Sequence, residues 1–222
     1  KLTGIRTSQI GHFVFDTQYH LRRIQLNPQR YYLFAYFNGV QSNSQWEKMV
    51  RRHYTVHPIF HYIWLANRLF PNAQRYELDL SGGNTAQMDK EGIYGRTSSH
   101  IKFNSEERQR GMAYLEKICM QKNEKYVCLL VREPNYKEVL EGDRDWSYHS
   151  YRDIDINSFA MAATSLADKG YWVFRMGKVV KSEFNVIHPR VVDYANSEFQ
   201  SDFMDVWLMQ NCCFCITTGT GL

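Results

Sequence analysis

The stretch from Lys125 to Gly177 leaves the chain few options, because it reads as strand, helix and strand in close succession. Tyr126-Val127-Cys128-Leu129-Leu130-Val131 is short, apolar and bounded by charge, which predicts a buried strand. Pro134, just past Arg132-Glu133, forbids that strand from continuing as an inner one. Asn157 is placed to cap a helix through Ser158-Phe159-Ala160-Met161-Ala162-Ala163, and Lys169-Gly170 puts a cation in its last turn and a glycine just beyond. Tyr171-Trp172-Val173-Phe174 then predicts a second strand, running into Arg175-Met176-Gly177. The strands of a βαβ unit are parallel with a right-handed crossover. In open parallel sheets, ligands lie beyond the carboxyl ends of the strands. Both strands here end in an arginine, Arg132 and Arg175, so two permanent cations are expected where an anionic ligand would lie.

The rest of the chain repeats the alternation. After a strand-like start, Gly11 in Ser8-Gln9-Ile10-Gly11-His12 predicts a tight turn from strand to helix. Tyr31 to Phe37 predicts a strand ended by Asn38-Gly39; Asn43 or Ser44 caps a helix carrying Trp46, Met49 and Val50; a further helix spans about Phe60 to Phe70, stopped by Pro71. Between Asn72 and Phe103 the pattern weakens around the turn cluster Ser81-Gly82-Gly83-Asn84, and a loop of that length implies function or concealed structure. Asn104-Ser105-Glu106-Glu107 opens a helix with acids in its first turn. The domain boundary is therefore expected near residue 104, giving units 1–104 and 105–222. Further on, Val191-Val192 is strand-like, Ser201 or Asp202 caps a helix from Phe203 to about Gln210, and Cys213 to Ile216 is a strand running into Thr217-Thr218-Gly219-Thr220-Gly221. The expectation is an α/β fold.

Composition sets outer limits. Of 222 residues, 27 are basic and 23 acidic, and no basic block is long enough for a nucleic-acid arm, so no nucleic-acid partner is expected. The mild charge of +4 suits an anionic small ligand or peripheral contact with an acidic membrane surface. No apolar run approaches the roughly 20 residues that span a bilayer, so no transmembrane segment is expected. Five cysteines, mostly inside apolar runs, fit free thiols in a reducing compartment, which places the expectation in the cytoplasm or at the cytoplasmic face of a membrane. His53, His57 and His61 have helical spacing, but Pro58 interrupts them, and Cys212, Cys213 and Cys215 lack a second ligand pair; no metal site is expected. The chain starts at a lysine and stops on a glycine-rich loop, so the second domain is expected to be truncated at its C-terminus.

Two constellations suit a phosphorylated ligand. A strand ending in Thr217-Thr218-Gly219-Thr220-Gly221 offers hydroxyls and closely approachable backbone for phosphate oxygens, although it is neither a dinucleotide fingerprint nor a Walker loop. The loop Trp146 to Asp153 sets aromatics beside hydroxyls and charge. It reads either as a solvated loop with Arg152 and Asp153 paired, or as a lip that contacts a sugar or base through His149, Tyr151, Arg152 and Asp153. His12 reads either as a structural hydrogen-bonding residue or as a base.

Taken together, VCLLVREPNY, HSYRDIDI, GYWVFRMG, VVDYA, SDFMDVWL and CFCITTGTGL, with the opening SQIGHFVFD, resemble a family of bacterial glycosyltransferases of surface-polysaccharide synthesis. More distantly, the arginine-ended strand and the buried helix leading to a Thr/Gly loop resemble the donor half of fucosyltransferase-like enzymes of the GT-B fold. The resemblance covers most of the chain. It implies two Rossmann-like domains facing across a cleft, with the acceptor mainly on the first and a nucleotide-diphosphate sugar on the second. By that analogy Arg132 holds the donor diphosphate, Thr217 to Gly221 line the same pocket, and Asp205 matches an acidic position of the family. The family's loop carries Gly where Thr217 stands here. The implied activity is metal-independent sugar transfer to a polysaccharide, lipid-linked or protein acceptor, with the nucleotide-sugar as co-substrate, no cofactor, and His12 as the base. Two alternatives share these features: a nucleotide-sugar epimerase on the same fold, and a catalytically silent nucleotide-sugar-binding subunit.

Overall fold

The computed structural model describes residues 1–26, 32–78, 89–133, 153–180 and 182–218. The chain divides into two compact units, Lys1–Phe103 and Asn104–Thr220. Among the described residues there are six α-helices and two wholly parallel sheets, an α/β arrangement compatible with Rossmann-like domains.

In the first unit β1 (Leu2–Arg6), β2 (Phe34–Asn38) and β3 (Thr55–Val56) pair in that order. A parallel bridge from Glu77 to Leu2 adds a position on the other side of β1. Read from edge to edge the order is β3, β2, β1, Glu77, so the first strand lies inside and the connections reverse direction beside it. Helix α1 (Ile10–Leu26) follows β1 and packs on it. Gly11 is the second residue of this helix and is buried there, so the expected turn comes earlier, at Ser8-Gln9. Helix α2 (Ser44–Val50) starts where the Asn43 side chain accepts from the Trp46 amide at 2.8 Å, satisfying a donor the helix leaves unpaired. It buries Trp46, whose indole N–H donates to the Phe13 carbonyl of α1 at 3.2 Å. Helix α3 (Ile59–Asn67) begins directly after Pro58, which is thus accommodated before the first turn rather than interrupting it. The weakly patterned segment holds short 3-10 turns at Ala73–Tyr76 and Tyr94–Arg96 as well as the Glu77 bridge; Ser81 to Asn84 lie outside the described residues.

The second unit has four strands, β4 (Tyr126–Leu130), β5 (Trp172–Arg175), β6 (Val191–Val192) and β7 (Cys215–Thr217), in the order β6-β5-β4-β7. The strand, helix and parallel strand read from Lys125 to Gly177 are present as β4, α5 (Ala160–Asp168) and β5. The helix starts later than expected. Asp155, not Asn157, supplies the side-chain acceptor, and a 3-10 turn over Ile156–Phe159 leads into α5. Its end is as read: Gly170, at φ +93°, lets its own amide and that of Tyr171 reach back to Ala167 and Leu166.

Period-two alternation along β4 builds two cores. Val127, Leu129 and Val131 face one side with Val173, Ile156 and Ala163 of α5. Tyr126 and Cys128 face the other, where the Tyr126 hydroxyl donates to the Leu208 carbonyl of α6 (Asp202–Asn211) at 3.1 Å. Helix α4 (Ser105–Lys117), opened by a capping box between Asn104 and Glu107, lies on this second side and brings Tyr114 against Phe174. Gly111 of α4 sits against the indole of Trp207 in α6; an added β-carbon would fall 2.0 Å from the ring. Helices on both faces of a parallel sheet explain why β4 and β5 are nearly continuous apolar runs.

Candidate functional site

The β6-β5-β4-β7 order places the reversal of connections between β4 and β7, and ligands of open α/β sheets lie beyond the carboxyl ends of the strands at such a point. Arg132 and Thr218 stand there. The Arg132 backbone amide donates to the Thr218 hydroxyl at 3.0 Å, and the Thr218 amide donates to Leu130 at 3.4 Å. The two strand ends are thereby stitched together. The Arg132 guanidinium, with its side chain 17% exposed, donates through Nε to Asp153 Oδ1 at 3.2 Å, and the Arg132 carbonyl accepts the Ile154 amide at 3.2 Å. Asp153 thus joins Arg132 at this edge. Thr217 is the last residue of β7 and the immediate neighbour of Thr218. Gly219, Thr220, Gly221, His149, Tyr151 and Arg152 lie outside the described residues.

Arg175 is placed differently from the solvent-facing cation that its strand-end position suggests. Its side chain is 1% exposed, with one terminal nitrogen on Glu133 Oε1 at 2.6 Å and on the Ser182 carbonyl at 3.1 Å, and the other on Asp193 Oδ1 at 3.0 Å. Asp193 in turn accepts the Phe184 amide at 2.9 Å and Asn196 at 2.8 Å. This cluster closes the carboxyl ends of β5 and β6 with internal ion pairs, and the charge of Arg175 is taken up within it. The strand-end pattern is the same for Arg132 and Arg175; which carboxylates reach them is decided by distant loops.

Asp205 is also engaged inside the fold. It accepts the hydroxyl of the buried Tyr194 at 2.9 Å and the Gln200 amide at 3.2 Å, one turn into α6. Burial is the larger influence and pushes its carboxyl up to about 6, against the pull of these hydrogen bonds. Tyr194 meanwhile accepts the Ser201 amide at 3.0 Å, so Asp205 helps to fix the entry of the helix.

In the first unit, a separate group gathers beyond the carboxyl end of β1, again beside the strand where connections reverse. Arg6 closes β1, and its guanidinium lies 3.3 Å from Asp16 Oδ2 on α1. His12, one turn before Asp16, has Nδ1 3.9 Å from the same oxygen. That nitrogen is buried and makes no hydrogen bond among the described residues. Burial first, then the positive charge of Arg6, lower the pKa of His12, while Asp16 opposes them. Asp16 is itself buried and raised by desolvation, with Arg6 and His12 pulling it back. The imidazole is therefore held neutral near pH 7 and able to accept a proton. Asp16 had no place in the sequence reading, although His12 and Asp16 are spaced i, i+4 on a helix, the signal that pairs side chains on one face.

Among the described residues no three His, Cys, Asp or Glu side chains converge as a metal-ligand set. Cys128 in β4 is a register partner of Cys215 in β7 and its thiol donates to the Leu208 carbonyl of α6 at 3.5 Å, while the Cys212 thiol donates to the Met209 carbonyl at 3.3 Å, so these thiols are spent on packing around α6 and the β4–β7 pair. No family model, no curated protein and no solved structure matches the chain.

Proposed function

We propose that the chain is a glycosyltransferase of GT-B type, with Asn104–Thr220 as its nucleotide-sugar half and Lys1–Phe103 as its acceptor half. The observation that carries this reading is the Arg132–Thr218 junction at the reversal point of a parallel sheet, where a cation, a hydroxyl and strand-end backbone stand together. In the proposed reaction an acceptor hydroxyl attacks the anomeric carbon, and the bond from that carbon to the donor's diphosphate breaks. Its electron pair goes to the leaving oxygen. Arg132 and the Thr217-Thr218 segment stabilise the growing charge, the part that a divalent ion takes in other transferases. The acceptor's proton goes to His12. Asp16, whose carboxylate lies 3.9 Å from Nδ1, offsets the charge of the imidazolium that forms. Arg175 and Asp205 have structural parts in this scheme.

The deciding experiment is calorimetric titration of the chain with nucleoside diphosphates and nucleotide-diphosphate sugars. Binding is expected, and Arg132→Ala is expected to weaken it by about 1.5–3 kcal/mol, the worth of a hydrogen bond to a charged group. Unchanged affinity in a folded Arg132→Ala protein would remove the assignment. Turnover by His12→Ala separates the two halves of the proposal: a loss of rate with intact donor affinity supports the base, and equal losses of both return His12 to a structural role.

A further inference from the structure

Helix α3 has two apolar faces. One is used: Phe60 packs on Phe34 with ring centroids 5.0 Å apart, and His61 and Trp64 lie against Tyr36 at 4.8 and 6.1 Å. Ile59, Tyr62, Ile63 and Ala66, at helical spacing i, i+3, i+4 and i+7, form the opposite face and are exposed. The chain beyond the helix continues the pattern, with Leu69 84%, Phe70 68% and Tyr76 60% exposed. No residue between Glu47 and Glu77 is acidic, whereas the same stretch carries Lys48, Arg51, Arg52, Arg68 and Arg75, all of them exposed. Arg68 stacks its guanidinium 4.0 Å from the Trp64 ring centre, an arrangement that keeps the cation beside apolar surface.

We propose that this surface, from Ile59 to Tyr76, is where the protein docks on an anionic phospholipid bilayer. Exposed aliphatic side chains, aromatics with polar tips and flanking cations that outnumber the carboxylates at the borders, where Arg51 pairs with Glu47 at 2.9 Å and Arg68 lies 3.9 Å from Glu77, are the composition of an interfacial helix: the apolar groups enter the headgroup boundary while the cations meet lipid phosphates. Charge argues against a second copy of the chain as the occupant. A two-fold interface would set this surface, whose five cations face carboxylates only at its borders, Glu47 and Glu77, against itself. Docking of this kind leaves the protein peripheral, and among the described residues no helix is long and apolar enough to cross a membrane. The inference does not depend on the glycosyltransferase reading.

The test is co-sedimentation of the full chain with vesicles of phosphatidylcholine alone or mixed with phosphatidylglycerol. The expected result is binding to the mixed vesicles, weakened by salt, and little binding to phosphatidylcholine alone. Leu69→Glu with Phe70→Glu is expected to abolish it. Arg68→Ala with Arg75→Ala, which leaves the apolar face intact, is expected to weaken partitioning roughly tenfold or more, at about 1 kcal/mol for each cation near an anionic surface. Ile187→Glu, which adds the same kind of charge at an exposed position in the other unit, should leave binding unchanged. Absence of binding to the mixed vesicles, equal binding to both compositions, or binding that survives Leu69→Glu with Phe70→Glu overturns the proposal. So does a concentration-dependent dimer in sedimentation velocity that this double substitution disperses.

Discussion

The backbone amide of Arg132 rests on the hydroxyl of Thr218, 86 residues away in the chain, and this contact ties β4 to β7 at their carboxyl ends. Thr218→Val keeps the shape of the side chain and removes the acceptor. The fold is expected to survive with a loss of about 0.5–1.5 kcal/mol in stability, the net worth of one hydrogen bond. Nucleoside-diphosphate affinity should fall with it, because the Arg132 backbone loses its anchor, and Thr218→Ser should restore both. Parallel denaturation and calorimetric titrations measure the two effects.

The Arg175 cluster predicts an asymmetry between two strand-end arginines. Arg175→Met leaves Glu133 and Asp193 facing each other without their cation, and breaking a buried pair in this way costs about 3–5 kcal/mol. Arg132→Ala removes a more exposed cation with one carboxylate partner and should cost much less. Urea denaturation midpoints of the two variants compare them directly. Equal losses would mean that Arg175 is not the keystone of this edge.

Gly111 cannot accept a side chain without displacing the Trp207 indole, since the new β-carbon would fall 2.0 Å from ring atom Cε2 and 2.2 Å from Cδ2. Gly111→Ala is expected to lower stability by about 1–3 kcal/mol or more, despite alanine's better helix propensity. Combined with Trp207→Leu, the loss should be smaller than the sum of the two single losses, and a double-mutant cycle reads that coupling.

Asp205 gives a pH dependence with a definite sign. Its carboxyl is raised from 3.8 to about 6, chiefly by burial, so between these values the folded protein holds a proton that the unfolded chain has released. Stability from this group is full below 3.8 and is lost as pH rises through about 6. Asp205→Asn should flatten that part of the profile, by an amount on the order of 1–2 kcal/mol between pH 4 and 7 once partial exposure is allowed for. Thermal midpoints across that range test it; an unchanged slope would show that the Tyr194 and Gln200 hydrogen bonds cancel the effect of burial.

What the sequence discloses and what it conceals follow from the reach of the forces involved. The caps at Asn43, Asn104 and Ser201 are legible because a side-chain oxygen meets an amide only three residues on. The start of α5 is less so, because Asp155 and Asn157 are equally good cap residues and the intervening 3-10 turn depends on the packing of Ile156. That β4 and β5 are parallel could be read from the crossover between them. That β7 returns to the far side of β4 could not, because nothing local to Cys215–Thr217 says which edge is open. Arg132 and Arg175 look alike in sequence and differ in burial for the same reason: Glu133 is adjacent to one of them but pairs with the other. Asp16 was available as the i+4 neighbour of His12, and its burial beside Arg6 was not.

The pairing of β4 with β7 also has a temporal side. Cys128 and Cys215 become register partners only after β5 and β6 have been added to the opposite edge of β4, if strands join in the order in which they are made. Closing so long a stretch of chain makes this the slow, non-local step of the unit, with its entropy cost met late. The junction of Arg132 with Thr218 therefore comes into being with the last strand, and opening of that strand alone dismantles it while β4, β5 and β6 stay paired. Amide hydrogen exchange should find the hydrogens donated from Thr218 to Leu130 and from Cys128 to Phe214 among the first of the sheet to exchange, and a bound anion should slow them more than any others in β4 to β6.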